Sequence, residues 1–300
     1  MRENYHVSVM SREVFTYLMP QPGQTFVDCT VGCAGHAEQI LKAIMPGGRL
    51  IGIDQDKEAL KIAQDRLKNY GDCLTLVHDN FSNIKNILKN CGVEKVHGIL
   101  FDLGISSLQI DSKTRGFSFQ HDAPLDMRMN QESKITAFDL INNLTEDELC
   151  KIIWNYGEDR WARKIARLIV LERRENPIVT TSQLSNIILR AISFKRKEKI
   201  SPATRTFQAL RIAVNRELDT LEKGLDEAID FLESQARVCV ISFHSLDDRI
   251  VKRIYRKKAQ EHKIKIITKK PLVPSWQEIL DNPRSRSAKL RVAEKNGIIR

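Results

Sequence analysis

Short apolar runs alternate with amphipathic segments over the first third of the chain, and this pattern predicts an α/β fold. Runs that are apolar on both faces indicate strands buried in a parallel sheet, and segments with apolar residues at helical spacing indicate helices covering both faces of that sheet. The predicted strands are residues 25–30, 49–54, 74–79 and 98–103, and the predicted helices between them are residues 36–45, 57–70 and 82–91.

The alternation of strands and helices stops at about residue 111. From there to residue 200 no convincing strand pattern occurs, and a strand pattern returns only at residues 237–243. We therefore predict one α/β domain from residues 1–110 and 203–300, and an inserted all-helical domain for substrate recognition at residues 111–202. The predicted helices of this middle part are residues 136–155, 158–174 and 181–192, followed by a long helical stretch at residues 203–234.

The end of the chain carries one more helix pattern and two further strand patterns. The helix is predicted at residues 246–259, and the strands at residues 263–269 and 288–294. A long loop joins the two strands. We expect them to pair as an antiparallel hairpin that closes the sheet.

Composition narrows the class of partner. The chain of 300 residues holds 48 Lys and Arg against 38 Asp and Glu, a formal charge of +10, which favours a polyanionic partner such as a nucleic acid. A generally basic proteome would give the same balance. No apolar stretch approaches the ~20 residues that span a bilayer, and the first residues show no targeting pattern, so we expect a cytoplasmic protein with no membrane partner.

The six cysteines do not predict a metal site. Only Cys29 and Cys33 lie near one another, and no second Cys or His pair at ligand spacing accompanies them. We expect no metal, and thiols that pack as small apolar groups.

The turn after the first strand indicates a nucleotide-like ligand. The dinucleotide fingerprint G-x-G-x-x-G falls on Gly32, Ala34 and Ala37, followed by Asp54 at the end of the second strand. The second glycine, which lets the backbone approach a pyrophosphate, is replaced by Ala34, so NAD or FAD is disfavoured. S-adenosylmethionine has no pyrophosphate and tolerates a looser turn.

Polar residues follow three successive strands in the order that S-adenosylmethionine binding needs. They are Asp28 with the turn at residues 32–36, then Asp54, then Asp79-Asn80-Phe81. Each alone is common in structural roles, an aspartate as a cap and a phenylalanine as core. Their joint place at the carboxyl ends of parallel strands favours ligand binding, because open α/β sheets bind ligands there.

Asp102, at the end of the fourth strand, is the candidate acceptor for an exocyclic amine of the substrate. A polar residue here would aim the nitrogen lone pair at the methyl group and disperse developing positive charge. A structural or ligand-binding carboxylate is the alternative. The tetrapeptide usual in nucleic-acid amino-methyltransferases, Asp, Asn or Ser followed by Pro-Pro and an aromatic residue, is absent. Phe117 or Phe119 would therefore have to stack on the base, unless they pack in a core.

Six sequence blocks follow one another along the chain: Asp102-Leu-Gly-Ile-Ser-Ser-Leu-Gln109, Arg115-Gly-Phe-Ser-Phe119, Pro124-Leu-Asp-Met-Arg-Met129, Pro202-Ala-Thr-Arg-Thr-Phe-Gln-Ala-Leu-Arg-Ile-Ala-Val-Asn215, Ile241-Ser-Phe-His-Ser-Leu-Asp-Asp-Arg-Ile-Val-Lys252 and Asn282-Pro-Arg-Ser-Arg-Ser-Ala-Lys-Leu-Arg291. In this order they resemble the RsmH (MraW) family, and the resemblance extends from His6 to the end of the chain and includes the helical insertion. Members of this family are S-adenosylmethionine-dependent methyltransferases that act on cytosine N4 in the decoding region of small-subunit ribosomal RNA.

The resemblance implies a Rossmann-like class I methyltransferase sheet and a set of cofactor contacts. One departure concerns Ala34, where the family usually has glycine, and a methyl group there would strain the turn if the position needs a positive φ. The role of Asp102 as amine acceptor is our own inference. The implied S-adenosylmethionine contacts are Ala34, Gly35, His36, Asp54, Phe81, Asp102 and Gln109.

Basic clusters are candidate contacts for RNA phosphates. The target cytosine must be unpaired or flipped out to reach the methyl donor. A solvated charge or an ion pair is the more common role of any single basic residue, and His244 after the fifth strand is as well explained by a structural hydrogen bond as by the site. The predicted RNA contacts are Arg160, Arg163, Lys164, Arg205, Arg211, Arg284, Arg286 and Lys289.

The function predicted on these grounds is methyl transfer from S-adenosylmethionine to a cytidine N4 amine of small-subunit ribosomal RNA. The partner is the free RNA or the assembled small subunit, and the protein is expected as a monomer or homodimer. The alternatives are a methyltransferase acting on another RNA, a small molecule or a protein glutamine, a non-catalytic RNA-binding assembly factor, and a nicotinamide oxidoreductase.

Overall fold

The computed structural model describes residues 8–192 and 201–297, and contacts within the chain divide it into two units. The sheet unit comprises the chain up to Gly104 and from Leu218 on, and the helical unit comprises Ile105–Glu217. The helical unit therefore extends further than predicted at both ends, since it begins before residue 111 and ends after residue 202. The difference arises because residues 203–215 pack against the helices of the insertion, where Ala203, Phe207 and Leu210 join one buried cluster.

A seven-stranded sheet forms the centre of the sheet unit, with the order β3-β2-β1-β4-β5-β7-β6. The first five strands are parallel, and β7 runs antiparallel to both β5 and β6. This is the predicted Rossmann-like arrangement with a closing hairpin. The strands are β1 Thr25–Asp28, β2 Arg49–Asp54, β3 Leu74–His78, β4 Val96–Asp102, β5 Leu232–Ser242, β6 Ile264–Ile266 and β7 Lys289–Lys295.

Helices cover both faces of this sheet, and two apolar clusters bury its side chains, one on each side. Val27 belongs to one cluster and Phe26 to the other, as the alternation of side chains along a strand requires. The helices of the sheet unit are α1 Ser11–Leu18, α2 Gly35–Ile44, α3 Lys57–Leu67, α4 Ile84–Asn90, most of α11 Glu217–Ala228, α12 Ser245–Gln260 and the short α13 Trp276–Asp281.

Among the described residues, the helical unit contains helices joined by loops. One of the helices predicted from the sequence is divided into two in the structure. The helix predicted at residues 136–155 is broken before Thr145, which starts a new helix as its N-cap. Thr145 Oγ1 accepts a hydrogen bond from Glu148 N, and Glu148 Oε2 accepts one from Thr145 N. The helices are α5 Ser107–Asp111, α6 Ala137–Asn143, α7 Glu146–Gly157, α8 Ala162–Glu172, α9 Thr181–Ala191 and α10 Ala203–Asn215.

The helical stretch predicted at residues 203–234 is also broken. Arg216 takes a left-handed conformation with φ of 50°, which ends α10 before α11 begins at Glu217. The side chain of Asn215 holds the break by donating to Met127 O and accepting from Met129 N. Among residues 8–192 and 201–297, no helix has the length and apolar character that a membrane span requires.

Candidate functional site

The turn between β1 and α2 is wound tightly by two residues with positive φ. Gly32 has φ of 50° and Ala34 has φ of 66°, and the turn is closed by a hydrogen bond from Ala34 N to Val31 O. Ala34 therefore occupies the conformation in which glycine is favoured. Its methyl group is buried in the core cluster with Ala37 and Ile40, so the turn accepts the alanine by packing it inward.

Asp54, at the carboxyl end of β2, ties this turn to the second strand. Its Oδ2 accepts a hydrogen bond from Gly32 N, and its Oδ1 accepts one from Asp56 N. Burial raises the pKa of Asp54 to about 6, against the effect of these N–H donors, which lower it. The carboxylate is thus ionised at neutral pH and held at the edge of the sheet.

Asp28, at the carboxyl end of β1, is buried beside the other acids of the site. Thr30 N donates a hydrogen bond to its Oδ1. Burial raises the pKa of Asp28 to about 7, and the charges of Asp102 and Asp54 add to this effect. At neutral pH this side chain is therefore close to its midpoint of ionisation.

His36, in the first turn of α2, lies beside Asp102 at the end of β4. His36 Nε2 and Asp102 Oδ2 are 3.6 Å apart, and neither His36 Nε2 nor Asp102 Oδ1 has a hydrogen-bond partner among the described residues. Burial lowers the pKa of His36, but the carboxylates of Asp102 and Asp28 more than offset it, and the net pKa lies above the ordinary value. The backbone of Asp102 is fixed by its own N–H, which donates to Thr30 Oγ1 at 2.7 Å.

The carboxyl groups of Asp28, Asp54 and Asp102 thus interact electrostatically at one edge of the sheet. Among the main influences on the pKa of Asp28, only His36 can supply a positive charge. A cationic ligand is favoured next to such a cluster, and a pyrophosphate dianion is disfavoured by like-charge repulsion. The charge of this cluster therefore suits a sulfonium compound better than a dinucleotide.

Phe81, after β3, is held by packing rather than left free. Its ring stands edge-on against Phe101 of β4, with the ring centroids 5.4 Å apart. Gly224 of α11 supplies the space on the other side, because a Cβ there would come within 2.7 Å of Phe81 Cδ2. The partly buried ring is thus fixed beside Asp79 and Asn80, whose side chains bond to Asn83 and Gln55.

Gly224→Ala is expected to displace Phe81 and destabilise the protein. The added methyl group would also lie 2.9 Å from the carbonyl oxygen of Phe81, so the backbone must move. Overpacking of this kind costs about 1–3 kcal/mol, which exceeds the ~1 kcal/mol that alanine gains over glycine in a helix. Urea unfolding measures the loss. Gly297→Ala is the control, since its nearest neighbour would be Ser234 Oγ at 3.5 Å, and equal stability of both variants would contradict the packing role.

The remaining predicted cofactor residue and the two candidate stacking rings lie in the helical unit. Gln109 is buried, and its Oε1 accepts a hydrogen bond from Ser106 N in the cap of α5. Phe117 is buried in the core of this unit, and Phe119 packs on Phe207 at 4.9 Å between ring centroids. Core packing therefore accounts for both rings.

Basic residues of the helical unit gather around Trp161, at the start of α8. The guanidinium carbon of Arg160 lies 5.3 Å from the centre of the Trp161 ring, and Lys164 Nζ lies 5.7 Å from it. Arg163 and Lys164 are exposed, as is Arg167 one turn further along α8, which the sequence analysis missed. Its signal was present in the helical spacing of Arg163 and Arg167.

The other two predicted basic residues of this unit differ from one another. Arg205 is exposed and donates a hydrogen bond to Glu158 O at the end of α7. Arg211 instead forms a bidentate ion pair with Glu217, at 2.8 and 2.9 Å, and is largely buried. A structural ion pair accounts for Arg211, which argues against a role on the surface.

The predicted basic residues of the sheet unit precede or begin β7. Arg284 and Arg286 are exposed in the turn before this strand. Lys289 pairs in register with Ser242, the last residue of β5, and its Nζ lies 3.8 Å from Asp248. All three thus lie at the carboxyl edge of the parallel strands.

His244 caps α12 at this same edge. Its Nδ1 accepts a hydrogen bond from Asp247 N at 3.3 Å, and its Nε2 lies 2.9 Å from Asp247 Oδ2 without the alignment of a hydrogen bond. Both side chains are buried. His244 therefore takes part in the cap of α12, while its buried Nε2 has no hydrogen-bond partner among the described residues.

The family and the relatives to which this chain is similar in sequence are described as methylases or methyltransferases. The sequence profile of a family described as the MraW methylase family matches residues 3–296. The ribosomal RNA small subunit methyltransferase H of Geotalea uraniireducens (strain Rf4) is 49% identical over 311 residues, covering 98% of this chain and 100% of the relative. That of Clostridioides difficile (strain 630) is 48% identical over 311 residues, covering 98% and 99%.

Solved structures resemble the chain more distantly. An rRNA methylase from Streptococcus thermophilus covers 96% of this chain and 95% of its own, with 11% sequence identity and a TM-score of 0.46. A likeness of this size carries no argument about function. Conclusions about function rest instead on the topology of the sheet and on the sequence identity to the curated relatives.

Proposed function

The chain belongs to the MraW methylase family, and from this premise we propose that it transfers a methyl group from S-adenosylmethionine to small-subunit ribosomal RNA. The acceptor we propose is the exocyclic N4 amine of a cytidine in the decoding region. The observation that carries the proposal is the cluster of Asp28, Asp54 and Asp102 at the carboxyl edge of the sheet, which suits a cationic methyl donor.

The residues of the sheet unit fit the cofactor in four ways. The turn at Ala34, Gly35 and His36 offers backbone groups close to a ligand. Asp54 offers carboxylate lone pairs for ribose hydroxyls beyond those that bind Gly32 N and Asp56 N. Phe81 offers an apolar wall, and Asp102 offers negative charge. Gln109 also belongs to the proposed cofactor set, although its amide already caps Ser106.

The proposed chemistry needs positioning and one proton acceptor. S-adenosylmethionine supplies an electrophilic methyl group on a sulfonium centre. The Asp102 carboxylate accepts a hydrogen bond from the N4 amine, which aligns the nitrogen lone pair. After the N–C bond forms and the S–C bond breaks, Asp102 takes the proton that the amine releases. His36, whose Nε2 lies 3.6 Å from Asp102 Oδ2, offers the carboxylate a nearby positive charge when it is protonated. No cysteine nucleophile is needed.

We propose that exposed basic residues of both units bind the phosphates of the RNA. In the helical unit they are Arg160, Arg163, Lys164 and Arg205, to which Arg167 is added, and in the sheet unit Arg284, Arg286 and Lys289. Trp161 supports this proposal, because an aromatic ring among cations provides a stacking face as well as charge.

Replacing Arg160 and Lys164 together with alanine is expected to weaken RNA binding. The logarithm of the association constant falls linearly with the logarithm of the salt concentration, and each lost phosphate contact makes this slope shallower by about 1. The slope of the double variant should therefore be shallower by about 2. Filter binding of ribosomal RNA at several salt concentrations measures this slope. Lys61→Ala, which removes an exposed lysine from α3, is the control, and an unchanged slope in the double variant would disprove the contacts.

The decisive experiment uses the full chain with labelled S-adenosylmethionine and small ribosomal subunits that lack the modification. Nuclease digestion then locates the label. We expect it on N4 of a cytidine in the decoding region. Label on another atom or another RNA would replace the proposed acceptor, and tight binding of subunits without transfer would favour the non-catalytic assembly factor.

The same experiment distinguishes the natural form of the substrate. Label transferred to assembled subunits but not to free RNA would identify the subunit as the partner. Sedimentation of the active protein distinguishes the proposed monomer from the homodimer. The proposed place of action is the cytoplasm, where such subunits are available.

A further inference from the structure

The connection between β6 and β7, residues 267–288, lies at the carboxyl edge of the sheet. Leu272 forms a bridge with Leu290, and Lys289 pairs with Ser242 at the end of β5. Both ends of the connection are therefore fixed beside the ends of the parallel strands. The segment between them includes α13, residues 276–281.

A short run of contacts ties α13 to the acidic site. Glu278 Oε1 accepts a hydrogen bond from Met10 N at 2.6 Å. The backbone of the preceding residue, Val9, bonds to His36 and raises its pKa. The connection is thus linked through two adjacent residues to the pair of His36 and Asp102.

α13 turns an apolar face outward. Glu278 and Ile279 are partly buried and face the protein, while the other residues of the helix are exposed. Trp276 and Leu280, four residues apart and hence on one side of the helix, are 74% and 53% exposed. Gln277 and Asp281, on the adjoining side, bond to one another, so the indole is left facing solvent.

The surroundings of Trp276 are basic. Residues 267–288 contain four lysines and arginines against two acids, Glu278 and Asp281. The exposed cations of the connection are Lys269, Lys270, Arg284 and Arg286.

We propose that Trp276 is a stacking platform for an unpaired nucleobase of the RNA substrate, with the cations of the connection binding the flanking phosphates. This proposal rests on the proposed function. An exposed indole among cations matches the chemistry of single-stranded RNA, in which every base offers a π-face and every linkage a negative charge. The contacts that lead from Glu278 through Met10 and Val9 to His36 anchor α13 at the same edge of the sheet as Asp102.

An RNA occupant is favoured over an anionic lipid surface by this location. A membrane-binding surface of the protein would not need to lie next to a site for a nucleotide-like ligand. RNA that delivers a base to Asp102 must cross the rim of the same sheet edge.

The test measures binding and turnover separately in Trp276→Ala and Trp276→Phe. Binding of small subunits is measured by filter retention without S-adenosylmethionine, and methyl transfer by label incorporation. We expect alanine to weaken binding and raise KM about tenfold, as the loss of one stacked base does, while kcat stays within about twofold. Phenylalanine should restore most of the affinity. Phe15→Ala, which removes another exposed ring of the sheet unit, should change neither quantity.

Three outcomes would overturn the proposal. These are unchanged affinity in Trp276→Ala, a dimer in sedimentation that this variant abolishes, and binding to anionic vesicles that depends on Trp276 in place of RNA binding. Wild-type protein that binds RNA through Trp276 but transfers no methyl group would defeat the proposed function and leave the platform standing. Normal transfer in wild type with an unaffected Trp276→Ala would defeat the platform alone.

Discussion

Asp102→Ala is expected to reduce kcat for methyl transfer about 100- to 1,000-fold, the size of effect seen when a preorganised electrostatic partner of a reacting group is removed. Asp102 stands at the end of β4 with its backbone N–H bonded to Thr30 Oγ1. That bond does not involve the side chain, so the strand end should keep its position. Label incorporation into small subunits at saturating S-adenosylmethionine measures the loss.

Asp102→Asn separates the two tasks of the carboxylate. Asparagine keeps an oxygen that can accept from an amine, but it cannot take up the proton and it removes the charge that raises the pKa of His36. We expect activity between those of alanine and wild type, and subunit binding close to wild type in both variants. Transfer by Asp102→Ala at a rate near wild type would refute its assignment as the acceptor.

The sequence predicts the acids of the site because strand ends are visible in the apolar pattern. β2 ends at Asp54 as predicted, and β4 ends at Asp102. Parallel strands then bring their carboxyl ends to one edge. The contact of His36 with Asp102 was not predictable in the same way, because it depends on how α2 crosses the sheet rather than on any spacing along the chain.

Two predicted helices are each broken in the structure. The sequence contains a signal for the first break, at Thr145, and none for the second, at Arg216. Thr145 and Glu148 form a capping box that marks a new start, yet the apolar periodicity on both sides favoured one helix. At Arg216 the sequence has no glycine, and the left-handed turn is held by contacts of Asn215 with residues distant in the chain. Such contacts are known only once the chain is folded.

β5 illustrates the same limit. It was predicted at residues 237–243, and it extends from Leu232 to Ser242. The added part contains Gln235 with φ of 66° and a register shift against β4. An irregular strand loses the alternation that sequence patterns detect. The exposed cations of the basic clusters were visible in the sequence, but the ion pair of Arg211 with Glu217 was not distinguished from them.

Asp28→Asn is expected to remove a large pH dependence of stability. Burial raises the pKa of Asp28 from 3.8 to about 7 in the folded protein. Between these values the folded state binds more protons than the unfolded state, so the free energy of unfolding falls as pH rises and levels off above pH 7. Three pH units at about 1.4 kcal/mol per unit give a loss of about 4 kcal/mol at most.

Asparagine keeps the oxygen that accepts from Thr30 N and carries no charge to desolvate. Urea unfolding of wild type and Asp28→Asn from pH 4 to pH 8 measures the difference between them, in which the titration of groups common to both proteins largely cancels. We expect the variant to gain stability over wild type from pH 4 to about pH 7 and to gain no more above it, by less than the full amount where protonated His36 compensates the charge of Asp28. Parallel stability curves would mean that Asp28 titrates normally in the folded protein and that burial does not favour its protonated form.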